Sequence, residues 1–239
     1  MAKEVIVTAD KVRNRKKAVK SIRRALLILL VFLIVLYIIL DIIYSEGRFT
    51  VTLDSNKTLE TGLAIFDSLN NSHGKRKLEA TPIRFMDNIS VKSIPENVDK
   101  EADGSHNGQN YIAYSFYAEN QGQRVINYSY EVIVDDVIKN VDEAIRIRIY
   151  RNGEEITYAK STPSGDPEPL TEPFKSIKNA YESGITIIYV LVKDFKPGDL
   201  DRYTVLIWLE GDDPDCTDPL IGGELKMHMK ITEQHIEQD

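Results

Sequence analysis

Tyr111-Ile112-Ala113-Tyr114-Ser115-Phe116-Tyr117-Ala118-Glu119-Asn120 is followed, after Gln121-Gly122-Gln123, by Arg124-Val125-Ile126-Asn127-Tyr128-Ser129-Tyr130-Glu131-Val132-Ile133-Val134. Both runs are rich in β-branched and aromatic residues, the composition that fits a pleated, half-buried strand. The even positions Ile112, Tyr114, Phe116 and Ala118, then Ile126, Tyr128, Tyr130, Val132 and Val134, share one face in a structure with a side-chain period of two. The pair reads as a β-hairpin whose even-numbered face enters a core.

The pattern continues downstream. Ile145, Ile147 and Ile149 alternate with Arg146, Arg148 and Tyr150, and Asn152-Gly153 supplies the positive φ angles of a type I′ turn into 155–160. Pro163, Pro167, Pro169 and Pro173 mark a loop that no central strand could contain. Ile185 to Val192, a nearly continuous apolar run, reads as a strand covered on both sides or near the centre of a sheet. Lys196-Pro197-Gly198-Asp199 turns the chain, Arg202 to Leu209 returns it, and a last strand places Leu225, Met227, Met229 and Ile231 inward. Upstream, Phe49, Val51 and Leu53 alternate with threonines, and 55–108 is mixed. Short strands with turns between them argue an all-β fold, an antiparallel β-sandwich of jelly-roll type, as an ectodomain behind one N-terminal transmembrane helix. The expected divisions are a basic cytoplasmic segment (1–24), a transmembrane signal anchor (25–44), a membrane-proximal irregular part with short strands (45–110) and the sandwich core (111–239).

The anchor is read from Ala25 to Leu40, 16 unbroken apolar residues that Asp41-Ile42-Ile43-Tyr44 extend to 20. Twenty helical residues cover the ~30 Å hydrocarbon core of a bilayer. A cleavable signal peptide with Ser45 and Gly47 at its processing site is the rival, but the apolar run exceeds the roughly 7–15 residues of such a core. Residues 1–24 hold nine Lys/Arg against Glu4 and Asp10, a net +7, whereas the remainder holds 21 basic and 35 acidic residues, a net −14. Seven of the nine cations, Arg13, Arg15, Lys16, Lys17, Lys20, Arg23 and Arg24, precede the apolar run and form a membrane-surface cluster that keeps the N-terminus in the cytoplasm. The C-terminal domain is then extracellular. Its acidity argues against a nucleic-acid partner; the expected partners are membrane lipids and a protein, or a second copy, outside the cell.

Two segments could bind a cation. Asp103-Gly104-Ser105-His106-Asn107-Gly108 opens like a calcium loop, but its twelfth position is Tyr114 instead of a bidentate Glu. Glu210 to Asp218 places five carboxylates in nine residues, so Asp103, Asp212, Asp213, Asp215 and Asp218 are the candidate Ca2+ ligands. With one cysteine, Cys216, the chain has neither an internal disulfide nor a Cys-cluster metal site. No HExxH, GxSxG, P-loop or GxGxxG occurs, and no catalytic residue is assigned. Tyr111, Tyr117 and Trp208 could form an aromatic platform for sugars or peptides, although such residues more often pack on the rim of a sandwich core or under a loop.

The stretches Asn110 to Tyr117 with Gly122, and Trp208-Leu209-Glu210-Gly211-Asp212-Asp213-Pro214-Asp215-Cys216 with Gly222-Gly223-Glu224, resemble uncharacterised exported proteins of Gram-positive bacteria. More distantly, the hairpin and the Pro-Gly-Asp turn resemble the sandwich of the TasA and camelysin proteins, which implies a fibre- or coat-forming extracellular module. The resulting expectation is a non-enzymatic, membrane-anchored module with a structural, assembly or binding role at the cell surface, requiring no cofactor. The alternatives are a Ca2+-dependent binding module and a metal-dependent hydrolase.

Overall fold

The computed structural model describes residues 9–44, 49–54, 62–71, 73–83, 85–178 and 184–234. The chain divides into two compact units, Met1–Glu46 and Gly47–Asp239. The first contains α1, Ala9–Tyr44, a 36-residue helix with no Gly or Pro to interrupt its hydrogen bonding. Within it Lys17–Ile39, 23 residues, is long and apolar enough to cross a bilayer, and none of it is buried by protein. A helix that is apolar all round yet uncovered by protein fits a lipid surrounding.

The second unit is built from two sheets. One runs in the order β10 (Ile177–Lys178), β11 (Ile185–Phe195), β6 (Ile126–Ile138), β13 (Glu224–Gln234), β1 (Thr50–Asp54), β3 (Lys77–Glu79). The other runs β2 (Leu63–Phe66), β5 (Tyr111–Asn120), β12 (Leu200–Leu209), β7 (Ile145–Arg151), β8 (Glu154–Ala159), β9 (Glu172–Pro173), with β4 (Gly104–Ser105) also paired to β5. One apolar cluster draws on both sheets, including Val51, Tyr128, Tyr130, Val132, Met229 and Ile231 from the first and Ile65, Phe116, Ile147, Ile149, Tyr203 and Val205 from the second. The rings of Tyr130 and Tyr203 meet edge to face across the two sheets, 5.4 Å between centroids. A second cluster, Ile94, Val98, Ala113, Tyr150, Leu206 and Trp208, lies on the other face of the β5–β12–β7 sheet, where residues 89–98 cover it.

Several expectations need correction. The chain is mixed α/β, with one 36-residue helix and two open sheets, and is not an all-β jelly roll. Nor is it purely antiparallel, because β1 pairs with β13 and β8 with β9 in parallel. β5 and β6 form no hairpin: β5 pairs with β2 and β12, and β6 with β11 and β13, in the opposite sheet. The even-numbered residues do face the core, since a strand crossing between facing sheets buries the same set as a strand folding back within one. Asn120 holds this crossover. Its side-chain amide donates to the carbonyls of Arg124 and Phe195, both at 2.8 Å, while its Oδ1 accepts from Gly122 N at 3.0 Å. β11 lies next to the two-residue strand at the sheet edge instead of near the centre. The 45–110 segment, expected to be irregular with short strands, contributes the short strands β1 to β4, which join both sheets. The β7–β8 hairpin does turn on Asn152 and Gly153, at φ 54° and 88°.

At one end of the sheets, a buried polar network joins β6, β7 and β12. Asp201 accepts from the Tyr128 hydroxyl, from Arg151 Nε at 2.9 Å and from Asn152 Nδ2 at 2.6 Å, while the Tyr128 and Tyr203 hydroxyls are 2.5 Å apart. Burial is the main cause that pushes both phenols upward, so they remain protonated donors.

Candidate metal centre

Strand alternation in β7 sends Ile145, Ile147 and Ile149 into the shared core and Arg146 to the opposite face. That face should be wet, yet Arg146 is 5% exposed. Two loops close over it, 160–171 after β8 and 210–223 after β12. Arg146 Nη2 donates to Asp213 Oδ2 at 2.5 Å and lies 3.3 Å from Glu168 Oε2. Asp213 Oδ1 accepts the Asp215 backbone N–H at 2.8 Å. Glu168, Asp213 and Asp215 can each offer a carboxylate oxygen within 4.8 Å of the other two; the first two are buried and Asp215 is half-buried.

Local geometry fixes each contributor. The backbone N–H and Oγ1 of Thr171 both donate to the Glu168 carbonyl, at 3.2 and 3.0 Å, closing a turn over Pro169 and Leu170. Glu210, itself buried, anchors the other loop: it accepts from Trp208 Nε1 at 2.9 Å, Val91 N at 3.2 Å and Asp212 N at 3.1 Å. Two carboxylates pair with the one guanidinium and the third, on Asp215, lies beside them, a formal excess of two negative charges where solvent screening is weak. The Glu168 carboxyl is accordingly held above its ordinary range, first by burial and then by the Asp213 charge; Arg146 opposes this and Asp215 adds to it. Such a cluster is relieved either by a proton or by a cation. The donors are all oxygen, which suits a hard divalent ion.

The structure separates the candidate ligands named from the sequence. Asp213 and Asp215 enter the cluster. Asp212 is exposed and accepts from Ser90 Oγ at 2.7 Å, and Asp218 is exposed at the start of a short 3-10 turn, Asp218–Leu220. Asp103 accepts from the Tyr117 hydroxyl at 2.7 Å and lies 3.7 Å from Arg202 Nη2. Arg202 and Glu210 are eight residues apart along β12 and its exit, roughly 26 Å in extended chain, so Asp103 is far from the acidic loop. Trp208 is 1% exposed and forms no surface platform. Glu168 is the ligand that sequence reading missed. Its signal was indirect: an arginine on β7 flanked by core isoleucines needs a carboxylate if anything covers it. Of the basic cluster, Arg15, Lys17, Lys20, Arg23 and Arg24 are exposed on α1; the side chains of Arg13 and Lys16 lie outside those described, as do Ser45 and Gly47.

No family model and no curated protein matches the chain. Among solved structures, similarity is found to the β-glucosidase of Kluyveromyces marxianus in complex with glucose, at TM-score 0.28 and 11% identity over 78% of this chain. The selenomethionine-labelled form of that enzyme gives 0.26 and 9% over 74%. The chain spans 18% of the length of each, and scores this low establish no shared fold. The likeness to TasA and camelysin, and to a group of exported Gram-positive proteins, is withdrawn: the mixed α/β chain with parallel strand pairs is not the all-β sandwich which that likeness implied. The expectation of a purely structural or assembly module without catalysis is also overturned. The carboxylates of Glu168, Asp213 and Asp215, two buried and one half-buried, lie close enough together to coordinate a divalent metal ion, an arrangement compatible with catalysis.

Proposed function

We propose that this chain is a membrane-anchored, cation-dependent binding module whose ion, Ca2+, is held by Glu168, Asp213 and Asp215. One observation supports the reading: carboxylates from two separate loops gather around a single buried arginine and leave the charge deficit of a divalent ion. The ion would fasten the 160–171 loop to the 210–223 loop and so steady a binding surface built from both. Ca2+ takes about 6–8 oxygens, so oxygen donors beyond these three carboxylates would be needed to complete its shell. The half-buried Asp215 favours a second reading, metal-assisted hydrolysis, because solvent reaches the cluster on that side and a bound metal would supply Lewis-acid chemistry there. Thermal unfolding of the full chain with Ca2+, Mg2+, Mn2+ or chelator tests the first reading: at a hundredfold excess over Kd an ion stabilises by about 2.7 kcal/mol. Equal melting under all four conditions refutes it. Cation-dependent ester or phosphoester cleavage that disappears in Asp215→Asn supports the second.

The cationic start of α1 supports an orientation with the N-terminus in the cytoplasm and residues 45 onward outside, and the partners we propose are membrane lipids and an extracellular protein, not nucleic acid. A protease added to intact cells should remove a carboxyl-terminal tag; protection of that tag contradicts this orientation.

A further inference from the structure

The large apolar side chains exposed on the second unit are unevenly distributed. Among its described residues, those most exposed are Leu170 at 100%, Phe85 at 89% and Ile221 at 70%. All three lie on loops at one end of the two sheets. Ile221 is between β12, whose last residue Leu209 pairs with Ile145 at the start of β7, and β13, whose first residue Glu224 pairs with Ile138 at the end of β6. Leu170 follows β8, whose final Ala159 is opposite Arg146. Phe85 is between β3 and Ile89, which bridges to Glu210 just past β12.

Strand β1 starts from that same end. It runs parallel to β13 with Thr50 opposite His228, so the chain leading into it comes from the Glu224 side. Five residues, 45–49, lie between the last residue of α1 and Thr50, so the six Cα steps between them reach at most about 22 Å. The bilayer-length helix is thus joined to the strand that starts from this end by a short stretch of chain. Leu170 adds an independent sign. It occupies the position after Pro169 in a turn with φ +61°, where sterics favour glycine, and nothing in the fold packs over it.

We propose that Phe85, Leu170 and Ile221 form a lipid-contacting tip that enters the headgroup–acyl boundary of the bilayer crossed by the chain's own helix. The exposed Asp212 and Asp218 at this end make a zwitterionic bilayer the fitting one, because an anionic surface would repel them. The proposal goes beyond the cation reading and does not depend on it.

The test uses the full chain, one copy per phosphatidylcholine nanodisc, in Cys216→Ser background. Phe85→Cys, Leu170→Cys and Ile221→Cys each carry a nitroxide, with Leu200→Cys at the far end of β12 as the aqueous control. The expected result is a ratio of oxygen to water-soluble nickel-chelate accessibility severalfold above the control at all three tips. Lipid burial in either Ca2+ or chelator supports the proposal, so a failed cation site does not move it. Tip labels as water-accessible as the control overturn it, and so does shielding that occurs only in discs holding two chains, which would mark a contact between copies.

Discussion

Replacing Arg146 by methionine removes the one cation buried with Asp213 and Glu168 while retaining an unbranched side chain of similar length. The guanidinium is 6% exposed, Asp213 0% and Glu168 7%, so neither carboxylate can recover its lost partner by turning into water. Breaking a buried ion pair from one side costs about 3–5 kcal/mol, and the third carboxylate, on Asp215, adds to the repulsion. For a unit of this size each kcal/mol moves the melting temperature by roughly 2–4 °C, so Arg146→Met in chelator should melt about 6–20 °C below the parent chain. Ca2+ should then restore more stability to the variant than to the parent, since the ion replaces the missing charge. The assay is thermal unfolding of both chains in the same detergent near neutral pH, with and without Ca2+. A variant that melts within about 2 °C of the parent in chelator, less than 1 kcal/mol, would show that the carboxylates do not depend on Arg146. A variant that Ca2+ fails to rescue would show that they do not form a cation site.

Glu168 gives a pH signature of definite sign. Its folded-state carboxyl is raised above the ordinary 4.5, so in chelator the folded chain takes up this proton before the unfolded chain does. Stability from this group should increase as pH falls through the raised value and level off below 4.5; Glu168→Gln should flatten that part of the melting-versus-pH curve, and an unchanged slope would exclude Glu168 as its source. With Ca2+ present the trend should reverse, because protons displace the ion. Asp201→Ala strands the Tyr128 hydroxyl, Arg151 and Asn152, and should cost about 3 kcal/mol in urea unfolding; a loss under about 1 kcal/mol would mean water replaces the carboxylate. Gly62→Ala would place a Cβ 2.8 Å from Gly122 Cα and 2.9 Å from Asn120 Oδ1, so it should destabilise by about 1–3 kcal/mol, and a neutral result would show that this crossover yields easily.

The inward faces of β5, β6, β7 and β13 were legible because a period of two is set locally by the chain itself. Strand partners were not. The 121–125 connection allows either a fold-back or a crossing, and the crossing is decided by Asn120, whose amide finds a carbonyl on Phe195, 75 residues away. Asn152-Gly153 was legible for the opposite reason, since both positive φ angles lie within two residues. The cation cluster was half legible. A dense run of acids showed where carboxylates crowd, but only covering loops distinguish the buried Asp213 from the exposed Asp212 beside it. Glu168 was invisible, because its pairing with Arg146 joins a proline-rich loop to a strand face that alternation assigns to solvent.

Titration calorimetry of Ca2+ into the chelator-stripped full chain addresses the cation site most directly. One ion bound per chain, abolished by Glu168→Gln combined with Asp215→Asn and retained in Asp103→Asn, is the predicted result. Absence of binding, or binding that the double substitution leaves intact, would contradict it.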